Sequence, residues 1–205
     1  MNSKITKIEK QAKRDRYNIY LDGIYGFSVS KWVLASYNLS ENQELSGKEI
    51  EEVKKSDIEN KAYNRATLIL SYRANTEQEL KKKLRKNFDE AVVDRAIQKL
   101  KKQGFLNDNE FAERYVENSK KGKKMVKIEL FKKGLNKELI ERAINTRNDK
   151  QELKNAQKLT EKTLKKYINE SEIVKRKKLY EALTRRGFSY DIYKEIIKDL
   201  YLGSG

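Results

Sequence analysis

The sequence has 205 residues, of which 37% are hydrophobic and 38% charged, and its formal net charge is +16. The modest hydrophobic content predicts several thin units rather than one large core, and the excess of positive charge predicts attraction to polyanions. Because the chain has no Cys and no His, the sequence excludes disulfides, zinc sites built on those residues, cysteine nucleophiles and histidine bases.

The sequence shows no signal for a membrane or for secretion. No apolar run approaches the roughly 20 residues that span a bilayer, and residues 1–13 are polar and lack the apolar core of a signal peptide. The absence of Cys also suits a reducing compartment. We therefore expect a cytoplasmic protein with no membrane partner.

Residues 1–45 are predicted to form a small β-sheet appendage. The segments Tyr17–Leu21 and Ile24–Val29 are rich in aromatic and β-branched residues, and Asp22-Gly23 stands between them. A strand, Asp-Gly and a second strand form the strongest local signal for a β-hairpin. The alternation of polar and apolar residues in Lys4–Glu9 indicates a third strand.

The appendage is predicted to end in a short helix and to continue into a longer one. Ser30 is a candidate N-cap for a helix that reaches Ala35, and Trp32, the only Trp of the chain, lies in this helix. We predict that the indole packs the appendage against the helices that follow. Residues 46–58 are predicted to form a linking helix.

A helical repeat follows and occurs three times. Asp89, Asn136 and Ser189 are predicted N-caps, and each has a large apolar residue directly before it and another four positions after it. That spacing is typical of the hydrophobic staple, and the helix after each cap carries one amphipathic face. The apolar residues of this face are Val92, Val93, Ala96 and Ile97 in the first copy, Leu139, Ile140, Ala143 and Ile144 in the second, and Ile192, Tyr193, Ile196 and Ile197 in the third.

Each copy is predicted to be a module of three helices. Gly134 and Gly187 stand where the second helix ends in a left-handed C-cap, and the first copy, one residue shorter, offers Asn87 for that conformation. Thr76 and Glu79 predict a capping box. The predicted fold class is mainly all-α, with three tandem three-helix repeats in an elongated curved array and a small N-terminal antiparallel β-sheet. The predicted modules are 59–105, 106–147 and 148–205, and their first helices are Lys61–Tyr72, Asn109–Asn118 and Lys154–Tyr167.

Basic side chains recur at equivalent places in the three modules and are the candidate binding residues. If the modules stack regularly, these side chains form a ladder of positive charge, as a site that follows a phosphate backbone requires. The alternative is that they serve only as a solvated helix surface. The candidates for binding nucleic acid or a filament are Lys81, Lys82, Arg85, Lys86, Lys120, Lys121, Lys123, Lys124, Lys127, Lys132, Lys133, Lys177, Lys178, Arg185 and Arg186.

Aromatic residues stand near the ends of several predicted helices. Tyr72, Tyr115 and Tyr167 have the chemistry to stack on nucleic-acid bases. Such side chains more often fill gaps between thin modules, and that is the interpretation we favour.

Carboxylates are the only candidate catalytic or metal-binding residues in the sequence, and the indication for either function is weak. Asp108, Glu110 and Glu113 lie close together, which is compatible with a metal or an acid–base function. Asp108 and Glu110 belong to a predicted helix start, however, where negative charge suits the helix dipole. The sequence also has neither a Walker loop nor a G-x-G-x-x-G motif. We therefore predict no catalytic residue, no metal site and no cofactor.

Residues 61–145 resemble the conserved portion of the RecX family, the bacterial modulators of RecA recombinase. The resemblance continues more weakly through the third module, and the β appendage is similar to that of the longer family members. Asn107 stands where the family commonly has a second acidic residue, and Asn87 stands in a region where it commonly has Gly. The segments that carry the resemblance are Ala66–Arg73, Thr76–Leu80, Ala96–Leu100, Gly104–Ala112, Glu129–Leu135 and Ile140–Ile144.

This resemblance implies a regulatory function without catalysis. Members of the family bind within the helical groove of the RecA filament on DNA, where they bridge neighbouring protomers and limit filament growth, ATP hydrolysis and strand exchange. The implied partners are the RecA filament and, more weakly and in a salt-dependent way, single- and double-stranded DNA. We expect the chain to act as a monomer. A general DNA- or RNA-binding helical-repeat protein without a role in RecA regulation is the alternative.

Overall fold

The computed structural model describes residues 2–12 and 15–201. Within these residues the chain forms ten helices and four strands, which confirms a mainly helical fold of three-helix repeats after a small antiparallel sheet. The predicted appendage and third module also include residues 1, 13, 14 and 202–205, which lie outside the described residues. The elongated curved array stays a prediction, as do the exact bounds of the modules.

The sheet consists of β1 (Asn2–Lys10), β2 (Arg16–Leu21), β3 (Ile24–Ser30) and β4 (Glu44–Ser46) in the order β3-β2-β1-β4. All neighbouring strands are antiparallel. The predicted hairpin and third strand are confirmed, whereas β4 was not predicted. The two-residue turn has φ values of 50° at Asp22 and 85° at Gly23, as a type I′ hairpin requires.

Alternate residues of the strands form the core of the appendage. Ile5, Ile19 and Val29 are fully buried there, since side chains along a strand point to opposite faces in turn. Helix α1 (Lys31–Ser36) closes this core with Val33, whose N–H donates to Ser30 Oγ at 3.3 Å. The predicted cap of this helix is therefore confirmed.

Helix α2 runs without interruption over Gly47–Tyr72. The sequence predicted a linking helix over 46–58 and a separate helix over Lys61–Tyr72, and that division is wrong. The segment contains neither Gly nor Pro after Gly47, so nothing in it breaks the backbone hydrogen bonds. The helix begins at a capping box, in which Ser46 and Glu49 each accept a hydrogen bond from the other's backbone N–H.

The chain divides into two compact units. The first comprises the residues up to Asn75 together with Leu80–Leu106. It holds the sheet, α1, α2, most of α3 (Glu77–Leu84) and α4 (Glu90–Lys102). Helix α4 buries the predicted face Val92, Val93, Ala96 and Ile97, and it also buries Leu100.

Two details of this unit differ from the expectations. Asp89 is the N-cap of α4, but its side chain accepts no cap hydrogen bond. Asn87 is not among the residues with positive φ, so the left-handed cap predicted there is wrong. The shorter connection instead turns through hydrogen bonds from the N–H groups of Asn87 and Phe88 to Leu84 O, at 3.0 and 3.1 Å.

The second unit comprises Thr76–Glu79 and the chain from Asn107 onwards. It has two apolar cores, one for each module, centred on Leu130 and on Leu183. None of the helices in the described part of the chain is long and apolar enough to cross a membrane. The helices are α5 (Asp108–Asn118), α6 (Lys123–Lys132), α7 (Lys137–Asn145), α8 (Asp149–Lys166), α9 (Glu172–Arg185) and α10 (Tyr190–Tyr201).

The predicted caps of this unit are confirmed. Leu139 N donates to Asn136 Oδ1 at 2.8 Å, and Ile192 N donates to Ser189 Oγ at 3.3 Å. Gly134 and Gly187 have φ values of 85° and 83°, as left-handed C-caps require.

The capping box of Thr76 and Glu79 is also confirmed. Glu79 N donates to Thr76 Oγ1 at 3.1 Å, and Thr76 N donates to Glu79 Oε2 at 3.4 Å. Thr76 has a second function, because its hydroxyl donates to Lys133 O at 2.6 Å. It thereby satisfies a carbonyl at the end of α6 that the helix itself leaves unpaired.

Candidate nucleic-acid interface

Ion pairs already engage about half of the candidate basic residues. A cation held by a carboxylate must break that pair before it can neutralise a phosphate, so these side chains are the weaker candidates. The pairs are Lys81 with Asp94, Arg85 with Glu90, Lys121 with Glu129, Lys123 with Asp149, Lys127 with Glu141, Lys133 with Glu79, and Lys178 with Glu181.

Lys121 belongs to a polar network inside the second module. Its ammonium and the hydroxyl of Tyr115 both donate to Glu129, the hydroxyl at 2.8 Å. Burial, together with the hydrogen bond to Glu129, raises the pKa of Tyr115 to about 12. Burial alone would raise the pKa of Glu129, but the bonds from Lys121 and Tyr115 lower it below its usual range. Tyr115 also stacks on Phe111 at 6.0 Å, so it packs within its module as a gap-filling residue does.

Lys123 is held at the start of α6 by carboxylates from α8. Its backbone N–H donates to Glu152 Oε1 at 2.8 Å, and its Nζ lies 2.6 Å from Asp149 Oδ1. Gly122, the N-cap of α6, has no side chain to offer, and Glu152, which is only 4% exposed, takes that place. Lys123 therefore supports the packing of α6 against α8.

The remaining candidates are exposed and pair with no carboxylate among the described residues. An approaching polyanion can meet these cations without first displacing a carboxylate. These side chains are Lys82, Lys86, Lys120, Lys124, Lys132, Lys177, Arg185 and Arg186.

A close backbone contact joins the second and third modules. Gly122 N donates to Arg186 O at 2.9 Å, and Lys124 N donates to Gly187 O at 3.2 Å. The start of α6, which includes Lys124, and the loop before it therefore lie beside the end of α9, next to Arg186. This contact brings the start of α6 close to Arg186, while a ladder formed by the basic residues of all three modules stays a prediction.

The third module has a basic cleft between α8 and α9. Lys162 and Lys166 of α8 face Arg185 and Arg186 at the end of α9 across a space of about 280 Å3. We call these residues, with Lys178, the module-three cleft. Its one carboxylate among the described lining residues is Glu181, which pairs with Lys178 at 3.3 Å. The other four cations are unpaired within the described chain, and clefts lined by one sign of charge concentrate the opposite sign.

Lys162 and Lys166 were not among the sequence-based candidates. Their spacing along α8 could have indicated their place in the cleft. Leu159 and Thr163 lie on the face of α8 that packs toward α9. Residues three and four apart share a face, so Lys162 and Lys166 flank the packed stripe. Tyr167, a predicted aromatic candidate, lines the same cleft.

Arg147 is a buried cation that the sequence analysis missed. It is 8% exposed, its Nη2 donates to Ser119 O at 3.0 Å, and its Nη1 has no hydrogen-bond partner among the described residues. Burial lowers the pKa of Arg147, against the opposing effect of Glu152. The space beside Arg147 is also lined by Glu113 and Glu117. Those carboxylates disfavour a phosphate there, so we do not count Arg147 in the interface.

Two of the three carboxylates weighed as a catalytic or metal site make structural contacts. Asp108 Oδ1 accepts a hydrogen bond from Glu77 N at 2.9 Å, and Glu110 pairs with Arg114 at 2.6 Å. Within the described ranges, no group of three or more Asp and Glu residues is arranged to hold a metal ion.

Family models match three parts of the chain. The N-terminal domain of regulatory protein RecX matches residues 3–46, the first three-helix domain of RecX matches residues 62–100, and the third three-helix domain matches residues 149–197.

Whole-chain relatives lead to the same family. A regulatory protein RecX of Listeria monocytogenes is 36% identical over 197 residues, which cover 93% of this chain and 73% of the relative. One of Limosilactobacillus reuteri is 35% identical over 202 residues, covering 96% of this chain and 76% of the relative.

Solved structures agree in fold. A crystal structure of a regulatory protein RecX has a TM-score of 0.75 at 35% identity and covers 96% of this chain and 99% of its own. The RecX of Lactobacillus salivarius has a TM-score of 0.65 at 36% identity, covering 72% of this chain and 99% of its own.

Proposed function

Since this chain belongs to the RecX family of regulatory proteins, we propose that it docks on the RecA–DNA filament and slows RecA's ATP hydrolysis, strand exchange and filament extension. The observation that carries the proposal is the module-three cleft. It presents Lys162, Lys166, Arg185 and Arg186 without carboxylate partners among the described residues. A filament on DNA offers phosphates and acidic protein surface to such a cleft.

The proposed action is that of a clamp and involves no chemistry. Each phosphate that a Lys or Arg neutralises releases condensed counterions, so many weak contacts add up to useful affinity at low salt. Lys124 lies beside the end of α9, but four carboxylates of α8 and α10 line the space next to it, so the proposed basic region is the cleft itself. A ligand bound across neighbouring protomers opposes any rearrangement that separates them, because binding energy is lost when they move apart.

The direct test is a titration of this chain into RecA on single-stranded DNA, with ATP hydrolysis as the readout. The proposal expects inhibition at less than one chain per RecA, since each clamp affects more than the protomers it touches. Folded protein that leaves the hydrolysis rate unchanged at every ratio would refute it.

The alternative is a nucleic-acid-binding protein that has no role in RecA regulation. The net charge of +16 is the observation that favours it. It expects tight binding to DNA or RNA alone with a steep salt dependence, and slower ATP hydrolysis only when the chain is abundant enough to compete with RecA for DNA. The dependence of inhibition on DNA concentration separates the two, because competition is relieved by added DNA.

A further inference from the structure

The first unit contains an aromatic and basic notch of about 80 Å3. It lies where α1 meets α2 and α4, and we call it the Trp32 notch after its exposed indole. Its lining residues include Trp32, Glu59, Asn60, Tyr63, Arg95 and Lys99.

One ammonium group contacts both aromatic rings of the Trp32 notch. Lys99 Nζ lies 5.3 Å from the ring centroid of Trp32 and 4.5 Å from that of Tyr63. Both distances fall within the range of cation–π attraction. Tyr63 is fixed at its other end, because its hydroxyl donates to Gln103 Oε1 at 2.8 Å. The two rings and the cation therefore form an ordered group.

The indole of Trp32 is available to a ligand. Trp32 is 53% exposed, whereas its neighbour Val33 is fully buried and anchors α1 to the core. The expectation that Trp32 packs the appendage against the helices therefore holds only in part. Trp side chains are enriched at interaction sites, where the apolar ring and the polar N–H can both find partners.

The polar side chains of the Trp32 notch leave donors rather than acceptors for a ligand. Asn60 is 9% exposed, and its Oδ1 accepts hydrogen bonds from Ser30 Oγ at 3.2 Å and Asn64 Nδ2 at 3.0 Å. Its own Nδ2 has no partner among the described residues. The carboxylate of Glu59 is paired with Arg95, so the charge of Lys99 is not balanced there.

We infer that the Trp32 notch binds a base of a single-stranded nucleic acid. The base stacks on the indole, Lys99 meets the adjoining phosphate, and Asn60 Nδ2 donates to an oxygen of the nucleotide. Every base has a flat π-face, so such stacking tolerates any sequence. A duplex is excluded as the ligand because its bases are stacked on one another. This site lies beyond the proposed function, since it requires no RecA.

Fluorescence gives a direct test because Trp32 is the only Trp of the chain. The probes are an oligothymidylate of roughly 12 nucleotides and inorganic polyphosphate of similar length, both added to the full chain without RecA. A stacked base quenches indole emission, whereas polyphosphate supplies only charge. We expect quenching by the oligothymidylate alone, with the same midpoint as its binding measured by anisotropy. Oligothymidylate binding without a change in Trp32 emission would overturn the inference. Equal quenching by polyphosphate would also overturn it, because it would indicate a site for any acidic partner.

Variants test the same site by affinity. Trp32→Ala should raise the Kd for oligothymidylate by about fivefold or more, the lower end of what one stacked base contributes, and Trp32→Phe should retain most of the affinity. Phe105→Ala is the matched control, because Phe105 is an aromatic residue of the same unit that is 61% exposed. Equal weakening by Phe105→Ala would overturn the assignment. If Trp32→Ala does not fold, the quenching of the unsubstituted chain decides.

The contribution of Lys99 is tested by salt dependence. Lys99→Gln should lower the slope of log Kobs against log salt for oligothymidylate by about 0.7, the value for one phosphate contact to a single strand. Lys48→Gln removes an exposed lysine of the same unit and should leave the slope unchanged. A slope that falls equally in both variants would contradict a specific phosphate contact at Lys99.

Discussion

Gly122 and Gly187 lie so close that a Cβ on Gly122 would come within 2.2 Å of Gly187 O. Gly122 N donates to the neighbouring Arg186 O at 2.9 Å, so backbone meets backbone where the second and third modules join. Any side chain at Gly122 must push the two modules apart.

The first prediction follows from that contact. Gly122→Ala should lower the free energy of unfolding by about 2 kcal/mol or more, because overpacking a close contact costs energy of that order. The position has an ordinary φ of −70°, so the effect is steric rather than conformational. Chemical denaturation of the full chain measures it. Gly47→Ala is the control, since nothing lies within 4 Å of a Cβ there; equal losses in both variants would show that the contact does not matter.

The second prediction concerns the buried pair of Arg16 and Asp57. Their side chains are 15% and 3% exposed, and Arg16 Nη2 lies 2.8 Å from Asp57 Oδ2. Asp57→Asn should destabilise the protein by about 3 kcal/mol, because it leaves a buried guanidinium without its counter-charge. Glu51→Gln, which removes the exposed partner of Lys54, should cost less than about 1 kcal/mol.

The same pair makes a prediction about pH. Burial alone would raise the pKa of Asp57, but hydrogen bonds from Arg16, Lys61 and Ser30 N lower it below its usual value. A lowered folded-state pKa means that the unfolded chain binds the proton first as pH falls. The stability difference between the unsubstituted chain and Asp57→Asn should therefore be full above about pH 4 and shrink below it. A difference that stays constant down to pH 2 would contradict the assignment.

The third prediction uses Tyr115, whose pKa burial and Glu129 raise to about 12. The folded chain therefore keeps this proton when an unfolded Tyr, with a pKa of about 10, has lost it. Its contribution to stability is complete below pH 10 and is lost between about pH 10 and 12. Tyr115→Phe should lose less stability than the unsubstituted chain across that interval, as measured by denaturant titrations at several pH values. Parallel losses would show that Tyr115 titrates normally.

Local features of this fold could be predicted from the sequence because their physics is local. The caps at Asn136 and Ser189 and the turn at Asp22-Gly23 are each determined by neighbouring residues, and all three are confirmed. The strand β4 escaped prediction because it is three residues long, and its partner β1 lies some forty positions earlier in the chain. The left-handed cap predicted at Asn87 is wrong because a residue's capping preference has an effect only where the connection is long enough for a left-handed turn.

The candidate interface could be predicted only in part. Clusters of Lys and Arg are visible in the sequence, but the carboxylate that neutralises each one is not. Glu152, which holds Lys123, lies 29 positions away. Lys166 joins Arg185 only because α8 packs on α9. Contacts between residues far apart in the sequence therefore weaken some candidates and add others.

The fourth prediction separates paired from unpaired cations. Arg185 is exposed without a carboxylate partner in the described chain, whereas Lys127 is held by Glu141 at 2.6 Å. Arg185→Gln should reduce the slope of log Kobs against log salt for duplex DNA by about 0.9, the effect of one lost phosphate contact. Lys127→Gln should leave that slope unchanged. Equal reductions would mean that ion pairing does not withdraw a lysine from binding.

The module-three cleft can be tested in the RecA reaction itself. Lys166→Glu combined with Arg185→Glu places repulsive charge in the cleft. Lys48→Glu combined with Lys55→Glu is the matched control, because it lowers the net charge equally at exposed lysines of α2. Reversal of Lys121 or Lys123 would be a poorer choice, since both hold buried or half-buried carboxylates.

The decisive measurement is the rate of DNA-dependent ATP hydrolysis by RecA, titrated with each of these two double variants at physiological salt. We expect half-inhibition by the cleft variant to require at least tenfold more protein, which corresponds to a loss of about 1.4 kcal/mol of binding free energy. The control variant should inhibit at the same concentration as the unsubstituted chain. Inhibition by the cleft variant at the original concentration, with the fold intact by circular dichroism, would contradict it.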